Sequence, residues 1–150
     1  MKSLSHFIIE KLKISNVQTS NIEHTLFPES KEELIKMIKD EMDENGNTCD
    51  LNHIDVSGID DMSFLFSERH YNNTKFNGDI SQWDVSNVTN MNNMFGYSKF
   101  NGDISKWDVS SVTNMSHMFY VSAFTGKNSD ISDWDVSNVK DMSCMFTNSL

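Results

Sequence analysis

Cysteine, proline and basic residues are all scarce in this chain. Two cysteines, Cys49 and Cys144, stand among 150 residues. They make no disulfide framework, so a reducing compartment is expected. Lys and Arg number 12 against 22 Asp and Glu, a formal net charge of −10. Direct nucleic-acid binding, which rests on clustered Lys and Arg at phosphates, is not expected from such a chain. No apolar run approaches a membrane span. The N-terminal MKSLSHFIIEKLK offers only Phe7-Ile8-Ile9 before Glu10 and Lys11, too short for the hydrophobic stretch of a signal peptide. A cytoplasmic protein with no membrane partner is the expectation.

Catalytic signatures are missing too. The histidines at 6, 24, 53, 70 and 117 show no H-E-x-x-H spacing, and the cysteines form no C-x-x-C. There is no G-x-S-x-G, no P-loop and no dinucleotide glycine pattern. Cys144 and His117 occupy matching positions one repeat apart, which reads as coincidence rather than a dyad. A non-enzyme without cofactor or metal is expected.

What the chain has is repetition. Phe76 to Phe95 reads FNGDISQWDVSNVTNMNNMF and Phe100 to Phe119 reads FNGDISKWDVSSVTNMSHMF. Asp130 to Phe146 returns as DISDWDVSNVKDMSCMF, and a fainter copy, CDLNHIDVSGIDDMSFLF, runs from Cys49 to Phe66. Ile54 stands in the tryptophan position of that first copy. Trp83 to Trp107 is 24 residues and Trp107 to Trp134 is 27. Such self-similarity means units that each bury a face against a neighbour. The spacing Ile-x-x-Trp-x-Val-x-x-Val predicts a short strand. Val88, Met91, Met94 and Phe95 predict a short helical or 3₁₀ segment. The recurring Trp, Met and Phe residues read as core, with each indole N–H needing an acceptor. Gly78 and Gly102 read as turns.

Before the repeats, residues 1–29 read as an N-terminal helix (5–14) and linker. Ser30 and Glu33 give a capping-box pattern, and Leu34, Ile35, Ile38 and Met42 form one apolar stripe up to Asn45-Gly46. Residues 30–48 are therefore expected to cap the first unit with a helix over 30–44, and 49–150 to form a four-unit array.

The repeated DISxWDVSNVxNMxxMF sentence resembles the BspA-type leucine-rich-repeat family, in a variant found in gut bacteria and their phages. That resemblance covers 49–150. It implies a right-handed α/β repeat solenoid, with short parallel strands and short helical or 3₁₀ segments. It also implies binding rather than catalysis, because many members are described as surface or adhesion proteins.

Two rows of aspartate follow the repeat: Asp50, Asp79, Asp103 and Asp130, and Asp55, Asp84, Asp108 and Asp135. Stacked carboxylates repel, so compensation is required. Asx-type bonds to backbone N–H groups are the expected one and bound calcium the sharper alternative. Specificity belongs where copies differ, at His53, Gln82, Lys106 and Asp133, and at Phe64, Asn93, His117 and Cys144. Asp84, Asp108 and Asp135 are expected to face solvent and meet Lys or Arg of a partner. The first functional reading is a protein–protein interaction module. The alternatives are an acidic decoy, conceivably phage-encoded, for a host nucleic-acid-handling defence protein, and a self-assembling structural protein. The fourth unit has no visible cap, which predicts an end-to-end homodimer through 130–150 or fraying there.

Overall fold

In the computed structural model, residues 22–70 and 73–150 are described. The helix expected over 5–14 and most of the linker lie outside the described residues.

Helix α1 spans Lys31–Asn45. Ser30 is its N-cap, in extended backbone, and its hydroxyl accepts from the Glu33 N–H at 3.2 Å. The Glu33 carboxylate reaches back to the Glu29 N–H at 2.8 Å, one residue before the cap. At the far end Gly46 donates to the Met42 carbonyl with φ 86°, a conformation that favours glycine. Leu34, Ile38 and Met42 are buried in the same core as the first unit. Lys31 Nζ donates to Ser63 Oγ at 2.6 Å and lies 3.2 Å from Asp61 Oδ2. His53 Nε2 approaches Glu41 Oε1 at 3.4 Å. Residues 25 and 26 also pair with that unit: the Thr25 N–H donates to the His53 carbonyl and the Asp55 N–H to the Leu26 carbonyl.

The expected α/β solenoid with parallel strands is not what the repeats form. Among the described residues there is one α-helix, two three-residue 3₁₀ turns at Glu68–His70 and Asn73–Lys75, and no named strand. Parallel pairing is reduced to isolated bridges, such as Asp61 with Asn90, Asn90 with Asn114 and Asn114 with Asp141. No helical segment forms in the Met-x-x-Met-Phe stretches either; both 3₁₀ turns lie in the insertion between units 1 and 2.

Hydrogen bonding explains the difference. The apolar residues spaced by three are the ends of β-turns, not faces of a helix or strand. Trp83 donates to Ile80, Val88 to Val85 and Met94 to Met91, and the same three turns recur in the third and fourth units. Aspartates close the backbone further, because Ser81 and Ser86 N–H groups donate to the Asp79 and Asp84 side chains. Groups spent on local closure are not free to build a ladder.

Units are nevertheless joined by backbone bonds, and these run mainly one way. Met91, Asn93, Phe95 and Tyr97 donate their N–H groups to the carbonyls of Asn114, Ser116, Met118 and Tyr120. Met115, His117, Phe119 and Val121 donate likewise to Asp141, Ser143, Met145 and Thr147. Left-handed residues make this possible: Asn93, Tyr97, His117 and Val121 have φ 56°, 60°, 57° and 52°. They fall at every fourth residue, and in each stretch every second N–H points to the next unit. For Val121 this is a strained conformation, since its branched side chain crowds the backbone there.

Side chains then bury the axis. Phe66, Phe95, Phe119 and Phe146 stack with centroids 5.4, 5.6 and 5.4 Å apart and planes within 8° of parallel. Phe76, Phe100 and Phe124 fill between them, at 4.8, 4.4 and 4.2 Å. Each indole N–H finds a carbonyl in the preceding unit: Trp83 at Leu51, Trp107 at Ile80 and Trp134 at Ile104, at 2.9, 3.1 and 3.3 Å. A buried indole N–H left without an acceptor would be costly. The tryptophan therefore serves as both core and unit-to-unit tie.

Candidate interaction surface

Everything that repeats is consumed by the fold. The side chains that vary lie at or near the surface, and two rows of them follow the units.

The first row is His53, Gln82, Lys106 and Asp133. Gln82, Lys106 and Asp133 are exposed, whereas His53 is half-buried beside Glu41 of α1. The second row is Phe64, Asn93, His117 and Cys144, and all four are left-handed, with φ 61°, 56°, 57° and 55°. This shared constraint was not visible in the sequence, where Asn93 and His117 belong to types enriched in that region but Phe64 and Cys144 do not. Phe64 is half-buried beneath the Arg69 guanidinium, 4.0 Å from its ring centre. His117 packs edge-on against Tyr120, which in turn meets the exposed Tyr97. Cys144 is exposed.

Asp84, Asp108 and Asp135 are exposed, but no sheet presents them. Each closes an Asx turn and accepts from the N–H two residues on, at 3.1, 3.0 and 3.0 Å. Asp84 and Asp108 also take the Ser86 and Ser110 hydroxyls at 2.6 Å. A third Asx turn per unit sits at Asp61, Asn90, Asn114 and Asp141, so the two inner units place neutral amides between the outer carboxylates. Sequence reading missed this third row because its letters are divided between Asp at the outer units and Asn at the inner ones.

These bonds supply the compensation that stacked carboxylates need. The Ser110 hydroxyl, then its N–H, hold Asp108 below the ordinary carboxyl value of 3.8, while Asp135 opposes them only weakly. Asp135 is lowered in the same way by Ser137. In Asp103, Asp130 and Asp141 the N–H of Ser105, Ser132 or Ser143 is the leading cause. Burial pushes Asp61 and Asp79 upward. Serine N–H and hydroxyl groups outweigh it, joined by Lys31 at Asp61 and by Asn52 at Asp79.

The sign of the pH dependence follows. A carboxyl lowered on folding contributes stability above its unfolded value, and loses it as pH falls through the folded one. Urea midpoints are therefore expected to hold steady from about pH 7 to about pH 5 and to fall once the pH drops below about 4. Exposed members of the rows contribute least, because solvent screens them. Midpoints unchanged down to about pH 2 would contradict the Asx account.

Among the described residues, no group of three or more His, Cys, Asp or Glu is arranged to hold a metal ion. No helix of the described residues is long and apolar enough to cross a membrane. One further surface was only partly legible. The trailing face of the fourth unit exposes Phe146 at 47%, Met142 at 41%, Val136 at 38% and Leu150 at 84%.

The chain matches no curated protein and no solved structure. A family model does match residues 32–150, covering α1 from its second residue and all four units. On that match, the chain belongs to the family described as Mycoplasma protein of unknown function, DUF285.

Proposed function

We propose that the protein is a non-enzymatic interaction module that binds another protein through the side of its repeat array. One observation carries this reading. The repeated letters are spent on core, indole ties and Asx turns, while Gln82, Lys106 and Asp133 vary at exposed, equivalent positions. A surface that changes from unit to unit on an invariant frame suits recognition, as in repeat proteins generally. The likeness of the repeats to BspA-type units supports the same reading, and a cytoplasmic setting fits the two free thiols.

Affinity capture from lysate of the source cell tests it, using the full chain and a Gln82→Ala, Lys106→Ala, Asp133→Ala variant. The reading expects a partner retained at high salt and reduced at least tenfold by the triple substitution, as for loss of about 1.4 kcal/mol or more. A partner released by salt and indifferent to the substitutions would point to the acidic rows instead, and to a basic partner. Failure to capture any protein under either condition would sink the interaction reading.

A further inference from the structure

Charge is unevenly placed along each unit. The stretches 62–78, 85–102 and 109–129 hold four basic side chains, Arg69, Lys75, Lys99 and Lys127, against the single carboxylate of Glu68. Every other Asp of the four units lies outside those stretches. The third Asx row fits the same division, because Asn90 and Asn114 make the turn of Asp61 and Asp141 without a charge.

Three of the cations gather beside exposed rings. Arg69 is exposed, with its guanidinium 4.0 Å from the Phe64 ring centre. Lys75 and Lys99 are exposed and precede Phe76 and Phe100, and the Lys99 N–H donates to the Thr74 carbonyl, which sets the two lysines on adjoining segments. Tyr97, two residues before Lys99, is 42% exposed and meets Tyr120 edge-on at 5.5 Å. None of Arg69, Lys75 and Lys99 forms an ion pair among the described residues. A chain of net charge −10 thus carries one face where positive charge is left uncompensated next to aromatic surface.

Charge and size together select the occupant. A two-fold pair of this chain through the face would set Arg69, Lys75 and Lys99 against their own copies, and like charges across an interface are costly. Phe66, Phe95 and Phe119 step 5.4 and 5.6 Å from unit to unit, so the face runs about 11 Å, the length of roughly three residues of extended chain. A nucleic-acid strand carries one phosphate per roughly 3.4 Å and would run on past the three cations toward the Asp rows. A short acidic segment of a protein fits the length, the sign of charge and the rings.

We propose that this face docks a short acidic segment of a partner protein, its carboxylates on Arg69, Lys75 and Lys99 and an aromatic side chain against Tyr97 and Tyr120. This rests on the interaction-module reading and adds a second face, separate from Gln82, Lys106 and Asp133. The stacked Arg69 guanidinium offers its edge to a carboxylate in the two-pronged geometry arginine favours. The Asp rows repel the same segment elsewhere on the array, which confines it to this face.

The probe is the blocked peptide acetyl-Glu-Glu-Trp-Glu-Glu-amide, titrated into the full, isotope-labelled chain. Saturable shifts are expected at the amides of Tyr97, Lys99 and Tyr120, with a Kd on the order of 1 mM or tighter. The same peptide with Gln for Glu should bind about tenfold more weakly or worse, and 1 M salt should weaken the acidic peptide similarly. Lys75→Glu with Lys99→Glu should reduce binding by about tenfold or more, and both positions are exposed, so the fold should survive. Tyr97→Asn is the second variant: Asn148 already stands at the equivalent position of the fourth unit in the same left-handed conformation, so the change should keep the backbone while removing the ring.

Absence of shifts at those amides with peptide on the order of 5 mM would overturn the proposal. So would equal binding of the Gln peptide, or binding that both variants leave intact. Pentathymidylate binding more tightly than the peptide, and lost in the same variants, would reassign the face to nucleic acid. Sedimentation showing a dimer that Tyr97→Asn dissolves would reassign it to a second copy. Peptide binding should persist in the Gln82, Lys106 and Asp133 variant; its loss there would move the contact to the first row and overturn this one, whereas failure at this face leaves the capture experiment on that row standing.

Discussion

Replacing Phe95 with alanine is expected to destabilise the protein by about 3–5 kcal/mol, the range for a large aromatic lost from a packed core. Phe95 is fully buried and touches four rings: Phe66 and Phe119 in its own column, Phe100 in the other, and Trp107. Its N–H also joins two units through the Met118 carbonyl. The cavity would open between two units at once, and collapse there is opposed by the backbone bonds on either side. Thermal unfolding followed by tryptophan fluorescence should show a fall on the order of 10 °C or more. Phe146, in the same column but 47% exposed, gives the contrast. Its alanine variant should cost under about 1.5 kcal/mol, since only part of its area leaves water on folding. Equal losses at the two positions would mean that the column is not continuous.

Gly78→Ala is the second large expected effect. A methyl group at Gly78 would lie 1.9 Å from the Cys49 carbonyl oxygen and 2.7 Å from the Phe76 ring. The carbonyl cannot retreat freely, because it accepts the Asp79 N–H at 3.2 Å, within the bridge that joins the first two units. Overpacking against fixed backbone of this kind is expected to cost about 3 kcal/mol or more. Gly58→Ala is the matched control: nothing lies within 4 Å of its added methyl group, and the change should be close to neutral. Chemical denaturation of both variants checks the pair. A Gly78 variant as stable as the Gly58 variant would refute the close approach of the first two units.

Gly78 also shows how far the sequence can be read. Its recurrence as Gly102 predicts turns, but Gly78 lies in a bend and Gly102 in no turn; the need for glycine at 78 comes from the neighbouring unit, which no local pattern records. The repeat and the core were legible because apolar identity recurs at fixed positions, and α1 because Ser30, Glu33 and the 34, 38, 42 stripe are local signals. The backbone was not. Spacings of three, such as Ile80 to Trp83 and Met91 to Met94, are shared by helices, 3₁₀ segments and consecutive β-turns. Choosing among them depends on where each N–H goes. Asp79 and Asp84 divert serine N–H groups into Asx turns, and left-handed Asn93 and Tyr97 turn theirs toward the next unit. Those choices convert an expected sheet into turns joined by a one-way ladder. The candidate side surface was legible as variation between copies. The left-handed backbone of the second variable row was not legible, because Phe64 and Cys144 are not types that favour it.

The one-way ladder ties these parts together. It explains why a sheet is absent, why the second variable row is left-handed, and why one end of the array is rich in donors. Amide exchange of the full chain without any partner tests it most directly. Met91, Asn93, Phe95 and Tyr97, with Met115, His117, Phe119 and Val121, should exchange slowly because each donates to the next unit. Met142, Cys144, Phe146 and Asn148 should exchange faster by at least about a hundredfold, as amides without an acceptor do. Comparable protection across all three sets, or fast exchange at Phe95 and Phe119, would contradict the ladder.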